Sequence, residues 1–158
     1  MRPALSNLAI LLVGGLASLS ALANPPEAKY DAELAARVGA DEHGMRQYVL
    51  VILKTGPTPM PRGKQRDEMF KGHFANIQRL ADQGKLALAG PFDGVDGWRG
   101  MFIFAVKDIA EAKLLTATDP VIANGEMIAE YHEYYGSAAL MQVNETHKRI
   151  TRPAAAMQ

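Results

Sequence analysis

Tyr48-Val49-Leu50-Val51-Ile52-Leu53 is a continuous β-prone run, apolar at odd and even positions alike. Successive side chains of a strand point to opposite faces, so this run predicts a strand buried on both sides, near the middle of a sheet. Met101-Phe102-Ile103-Phe104-Ala105-Val106 has the same character. Between the two lies the loop Gly56-Pro57-Thr58-Pro59-Met60-Pro61. It leads into a helix from about Lys64 to Gln83, marked by Phe70, Phe74, Ile77 and Leu80 at helical spacing and stopped by Gly84. Lys85 to Ala89 reads as a short strand closed by Gly90-Pro91, and Asp93 to Gly100 as a turn or long hairpin loop. After the second run, Asp108 with Glu111 has the form of a capping box, and Ile109, Ala112 and Leu115 give a second helix a modest apolar face. Asp119-Pro120 ends that helix, Gly125 punctuates a connector, and Glu126 to Tyr135 alternates charged and aromatic positions like a last strand near an edge.

The order is β-α-β-β-α-β, the ferredoxin-like split βαβ arrangement of an α+β domain with a four-stranded antiparallel sheet. Right-handed crossovers put the first and third strands at the centre and the second and fourth at the edges. The residues agree independently, because the two strands apolar on both faces are the first and the third. Two helices cover one face of such a sheet. A homodimer packed sheet to sheet is the expected cover for the other, which would otherwise expose a large patch of Leu, Ile, Met and Phe. The competing cover is the terminal appendages.

Arg2, the apolar run Leu8 to Leu19 and the small-x-small Ala21-Leu22-Ala23 form a three-part secretory leader, with cleavage expected after Ala23. The run is shorter than the roughly 20 apolar residues of a spanning helix, so no stable membrane anchor is expected after cleavage, and the protein is expected to be periplasmic or secreted. The organisation read from the chain is a signal peptide over 1–23, an N-terminal extension over 24–45, the domain over 46–136 and a C-terminal extension over 137–158. Tyr30 to Val38, before Gly39, is of helical composition, and Gly136 to Ile150 is a candidate for a further helix. The chain has 0 cysteines, which excludes disulfides, thiolate metal sites, a cysteine nucleophile and a lipid-modified cysteine. Its 17 basic and 17 acidic residues balance without a basic block, so nucleic acid is not an expected partner. There is no Gly-x-Ser-x-Gly, phosphate loop or dinucleotide glycine pattern, which argues against serine hydrolases, nucleotide hydrolases and NAD enzymes.

His73 is the most informative single residue. Its spacing to Phe70 and Ile77 places it on the apolar stripe of its helix, where it is either a satisfied core group or a residue lining a pocket. Asp119 before Pro120 is an N-cap of a short helical turn. Alternatively, it reaches His73 and orients the ring, making a His-Asp acid-base pair. Glu130 and His132 share a strand face beside Tyr134, two ligand types without an evident third, and read as a solvated edge. His43 beside Asp41 and Glu42, and His147, read as surface residues. Trp98 and Arg99 are candidates for binding an anionic or aromatic substrate near a pocket mouth, or simply hairpin structure.

Gly72-His73-Phe74 with Leu80, Gln83-Gly84-Lys85-Leu86, Ala89-Gly90-Pro91, and Thr118-Asp119-Pro120-Val121 with Gly125 resemble the YCII-related domain. They follow its order and spacing from first helix to fourth strand, over about Gln47 to Tyr135. The resemblance implies a dimeric α+β barrel with a cleft lined by His73 and Asp119. It implies little about substrate: some relatives are small-molecule enzymes, among them a dehydrochlorinase acting on a hydroxylated aromatic ring, and many have no assigned activity. The leader, the insert around Tyr30 to Met45 and the tail after Tyr135 depart from the compact family form.

Two readings of function follow. One is an exported small-molecule enzyme of lyase or hydrolase type, with His73 and Asp119 catalytic, Gly90 and Pro91 shaping the pocket floor and Arg99 binding substrate, without metal or cofactor. The other is a non-catalytic small-ligand-binding or envelope stress module. A haem- or quinone-handling dimeric barrel shares the architecture and is a third, lesser alternative.

Overall fold

The computed structural model describes residues 29–152. The leader, its cleavage after Ala23 and the last six residues lie outside the described residues. The elements are α1 (Ala32–Val38), β1 (Met45–Thr55), α2 (Lys64–Asp82), β2 (Leu86–Pro91), β3 (Trp98–Phe104), α3 (Ile109–Thr116), α4 (Pro120–Ala123), β4 (Met127–Ser137) and α5 (Val143–Ile150). A 3₁₀ turn, Ala138–Gln142, joins the last two. The four strands form one antiparallel sheet in the order β2-β3-β1-β4. The two doubly apolar runs thus occupy the centre, as their patterning requires, and the fold is ferredoxin-like.

β1 is longer than its apolar run, because β4 pairs with all of it, from Met45 opposite Ser137 to Thr55 opposite Met127. Ladder hydrogen bonds need no apolar side chain, so composition marked only the doubly covered middle. For the same reason β3 starts at Trp98, inside the stretch read as a loop. The helix-side core sets Val49, Val51, Leu53, Phe102 and Phe104 against Met69, Leu80, Ala112 and Val121. On α2 the buried residues are Met69, His73, Asn76 and Leu80: His73 and Leu80 lie on the stripe read in the sequence, whereas Met69 and Asn76 stand one position before Phe70 and Ile77. Phe74, placed there on the sheet-facing side, is 63% exposed.

On the opposite face Tyr48, Ala87 and Ile103 are buried against Leu140 and Met141 of the 3₁₀ turn. Asn144 of α5 donates to the Leu86 carbonyl of edge strand β2 at 2.7 Å, satisfying an edge acceptor. The C-terminal extension therefore covers part of the face for which a partner was expected. Leu50 and Met101 remain half-buried there, and Ile128 is exposed.

The loop after β1 is clamped to the α4–β4 connection. The Gly56 N–H donates to the Glu126 carbonyl at 2.8 Å, and a Cβ on Gly56 would lie 2.2 Å from the Gly125 carbonyl oxygen. Gly56→Ala is expected to destabilise the fold by about 1–3 kcal/mol, the range for overpacking a tight contact, as measured by urea unfolding. Gly90→Ala, whose Cβ meets nothing within 4 Å, is expected to leave the midpoint unchanged.

Candidate active site

The site begins with a missing side chain. A Cβ on Gly72 would sit 3.0 Å from Pro120 Cγ, so glycine at this point of α2 lets α4 lie close against it. Pro120 is the first residue of α4 and Asp119 its N-cap, accepting the Val121 N–H at 3.1 Å. The carboxylate thereby meets His73, 46 residues away in sequence: Nδ1 lies 2.9 Å from Oδ1 and 2.8 Å from Oδ2. Asp119 is 0% exposed and His73 7%. One carboxylate therefore both caps the helix and reaches the ring. Asn76, one turn on from His73, donates to Asp119 Oδ2 at 3.3 Å, and its own oxygen is held by Arg79 Nη2 at 2.6 Å and Thr118 at 3.1 Å.

A carboxylate only accepts, so this bonding puts a hydrogen on Nδ1, and in the neutral form of the ring the lone pair is on Nε2. Phe70, Phe74 and Phe102 surround the imidazole with centroids 5.9, 5.4 and 6.0 Å away and fix its plane. His73 also lines a cavity of about 450 Å³ between α2 and the β2–β3 end of the sheet. Phe70, Phe74, Phe92, Phe102, Leu53, Ile77 and Met127 make its walls apolar, and Ala89, Gly90, Pro91 and Gly100 give it a backbone-lined side. His73 and Arg99 supply its polar side-chain groups. The structure thus gathers His73, Gly90, Pro91 and Arg99 around one cavity, with Asp119 behind the histidine. Trp98 does not line it: it packs on Phe92 at 5.6 Å, with Lys54 5.9 Å from its ring.

Sequence reasoning missed Asn76, Arg66 and Glu126. Asn76 had a signal, being a polar residue three after His73 and so on the same helix face. Glu126 was read as part of an exposed edge but is 1% exposed. It accepts the Met60 N–H and bonds Arg66 Nη2 at 2.8 Å, with Arg99 Nη2 at 3.7 Å. Its partners in the loop and α2 lie some 60 residues upstream, which no local pattern reveals. Glu130 and His132 bond each other at 2.8 Å on the exposed outer face, with Lys54 on Glu130. No group of three potential metal ligands occurs among the described residues. His43 is exposed, 3.6 Å from Glu42, and His147 is exposed on α5.

The fold and the helix-borne His-Asp pair define a class of small α+β domain, and a YCII-related domain matches residues 47–146. The chain belongs to the YCII-related domain family. No curated protein matches it.

Burial opposes ionisation of Glu126, but the Met60 N–H, the Arg66 bond and the charges of Arg66 and Arg99 outweigh it and hold the carboxyl below its ordinary range. A lowered folded value means that ionised Glu126 favours the fold above the ordinary carboxylate range, and that this contribution is lost as pH falls through the lowered value. Glu126→Gln is therefore expected to melt at lower temperature than wild type near neutrality. It should also lose part of the stability decline between about pH 5 and pH 2, which thermal melts across that window measure.

Proposed function

We propose that the protein is a small-molecule enzyme of lyase or hydrolase type in which His73 Nε2 moves a proton and Asp119 holds the ring. The observation that carries this reading is the position of one imidazole, between a fully buried carboxylate and an apolar cavity of about 450 Å³. With Nδ1 engaged, Nε2 is the nitrogen left to face a ligand. A proton taken there makes the ring cationic, and Asp119, out of reach of any ligand, opposes that charge without moving. The proton comes either from the substrate, beginning an elimination, or from a water that attacks it. The volume suits a compact organic acid or phenol, and the phenylalanine walls suit a flat body.

Product formation from a panel of small organic acids and phenols, followed by mass spectrometry, tests this. His73→Ala is expected to lower turnover by about 10²–10⁴-fold, the usual weight of a positioned acid-base group, in a protein that stays folded. Asp119→Asn, which no longer fixes the Nδ1–H form, is expected to lower it as well. Equal rates in wild type and His73→Ala would remove the histidine from the chemistry. Saturable binding without product in every variant would leave a ligand-binding module.

We also propose that the chain is exported and that two copies pair. The leader sequence supports export. The half-buried Leu50 and Met101 and the exposed Ile128 on the face away from the helices, together with the dimeric architecture that the resemblance implies, support pairing. Intact-mass spectrometry and light scattering on protein recovered from the periplasm are expected to give a chain beginning at Asn24 and twice its mass. A retained leader overturns the first proposal and a monomer the second.

A further inference from the structure

We infer that the Arg99 end of the cavity is an anion subsite, so that the ligand is a flat apolar molecule bearing one negative charge, a carboxylate, sulfonate or phenolate. The inference rests on the proposed reading only in placing the ligand in that cavity.

The first observation is a register slip. β1 and β3 pair Leu53 with Gly100 and Lys54 with Trp98, leaving Arg99 without an opposite residue. Strict alternation would point Arg99 to the outer face with Met101 and Ile103. The bulge turns it instead to the helix side, where it lines the cavity, and sends Trp98 outward over Lys54.

The second is a charge imbalance. Glu126 is the carboxylate at this end, and its two oxygens are taken by the Met60 N–H and by Arg66. Arg66 is further fixed over the Phe70 ring at 4.4 Å. Arg99 stands 3.7 Å from Glu126, near enough to be held by charge, and its guanidinium makes no hydrogen bond among the described residues. Two guanidiniums against one carboxylate leave one positive charge. Asp93 is turned onto the Val95 N–H, and neither Asp93 nor Asp96 lines the cavity. An uncompensated cation with unused N–H donors, set at the end of an apolar recess, attracts an anion more strongly than it would in open water. The planar fork also matches a two-oxygen anion.

Anilinonaphthalene sulfonate and phenyl-naphthylamine share one aromatic body and differ by the sulfonate, and both report binding by fluorescence. The full chain is expected to bind the sulfonate at least about tenfold more tightly, as one charge-assisted bond provides. Arg99→Gln is expected to remove that preference while leaving phenyl-naphthylamine affinity unchanged, and Arg99→Lys to keep part of it. No sulfonate binding, equal affinities in wild type, or a preference that survives Arg99→Gln overturns the inference. Because the readout is binding without turnover, failure of proton transfer and failure of the subsite are separate results.

Discussion

The contact of Pro120 with Gly72 governs the rest of the site. It brings the start of one short helix against the middle of a long one, and the residue before Pro120 becomes the partner of the residue after Gly72. Glycine within a helix costs about 0.5–1 kcal/mol relative to alanine. Here that cost goes with a helix-to-helix approach that a methyl group would press apart. The arrangement is not an efficient stabiliser: a carboxylate taken out of water recovers its desolvation only with good geometry and further hydrogen bonds, and an apolar filling of similar volume does as well or better. Asp119 has that support from Val121, Asn76 and His73, with Arg79 and Thr118 behind Asn76. Supporting bonds this complete fix a ring more firmly than core packing alone requires, which is the physical ground for reading His73 as a working group.

The sheet centre was legible because burial on both faces leaves an unbroken apolar run, and within the domain Tyr48–Leu53 and Met101–Val106 are the longest. Their placement then fixed strand order through handedness alone. His73 was legible as an inward residue, and Asp119 as a cap, from spacing; that they meet is tertiary, and the resemblance of the surrounding motifs pointed to it before the geometry did. Part of the helix stripe was read one residue off: Met69 and Asn76 are buried where Phe70 and Ile77 were expected. Phe70 and Phe74 are more hydrophobic than Met69 and Asn76, so they drew the apolar face toward themselves, whereas in the fold they turn to the cavity and its rim. Hydrophobicity marks both a core face and a binding wall, and period alone does not separate them.

Two placements have causes that no local pattern carries. Arg99 points where it does because β3 slips by one residue against β1, and the slip belongs to the pair of strands. Glu126 is buried because the loop after β1 and the start of α2 fold over it. In each case the deciding partner lies more than 40 residues away, beyond any window in which periodicity or capping is read. The C-terminal extension behaves similarly: Leu140 and Met141 look like tail residues until β4 runs on through Gly136 and delivers them to the back of the sheet.

Glu126 links these non-local features. Its backbone oxygen receives Gly56, which pins the loop after β1, and its carboxylate receives Met60 and Arg66, which fixes the start of α2. The same carboxylate sets how far Arg99 stands from its nearest neutralising charge. Were it fully committed to Arg99, the cavity would end in a closed ion pair with no pull on a ligand; with no carboxylate there, two guanidiniums would repel each other across a few ångströms. Giving Arg66 the short bond and Arg99 the long one keeps the cluster folded and leaves the second cation available. The loop, the entry of the long helix and the charge at the cavity end are thus set together by one buried side chain, and the histidine at the same cavity is set by another, Asp119.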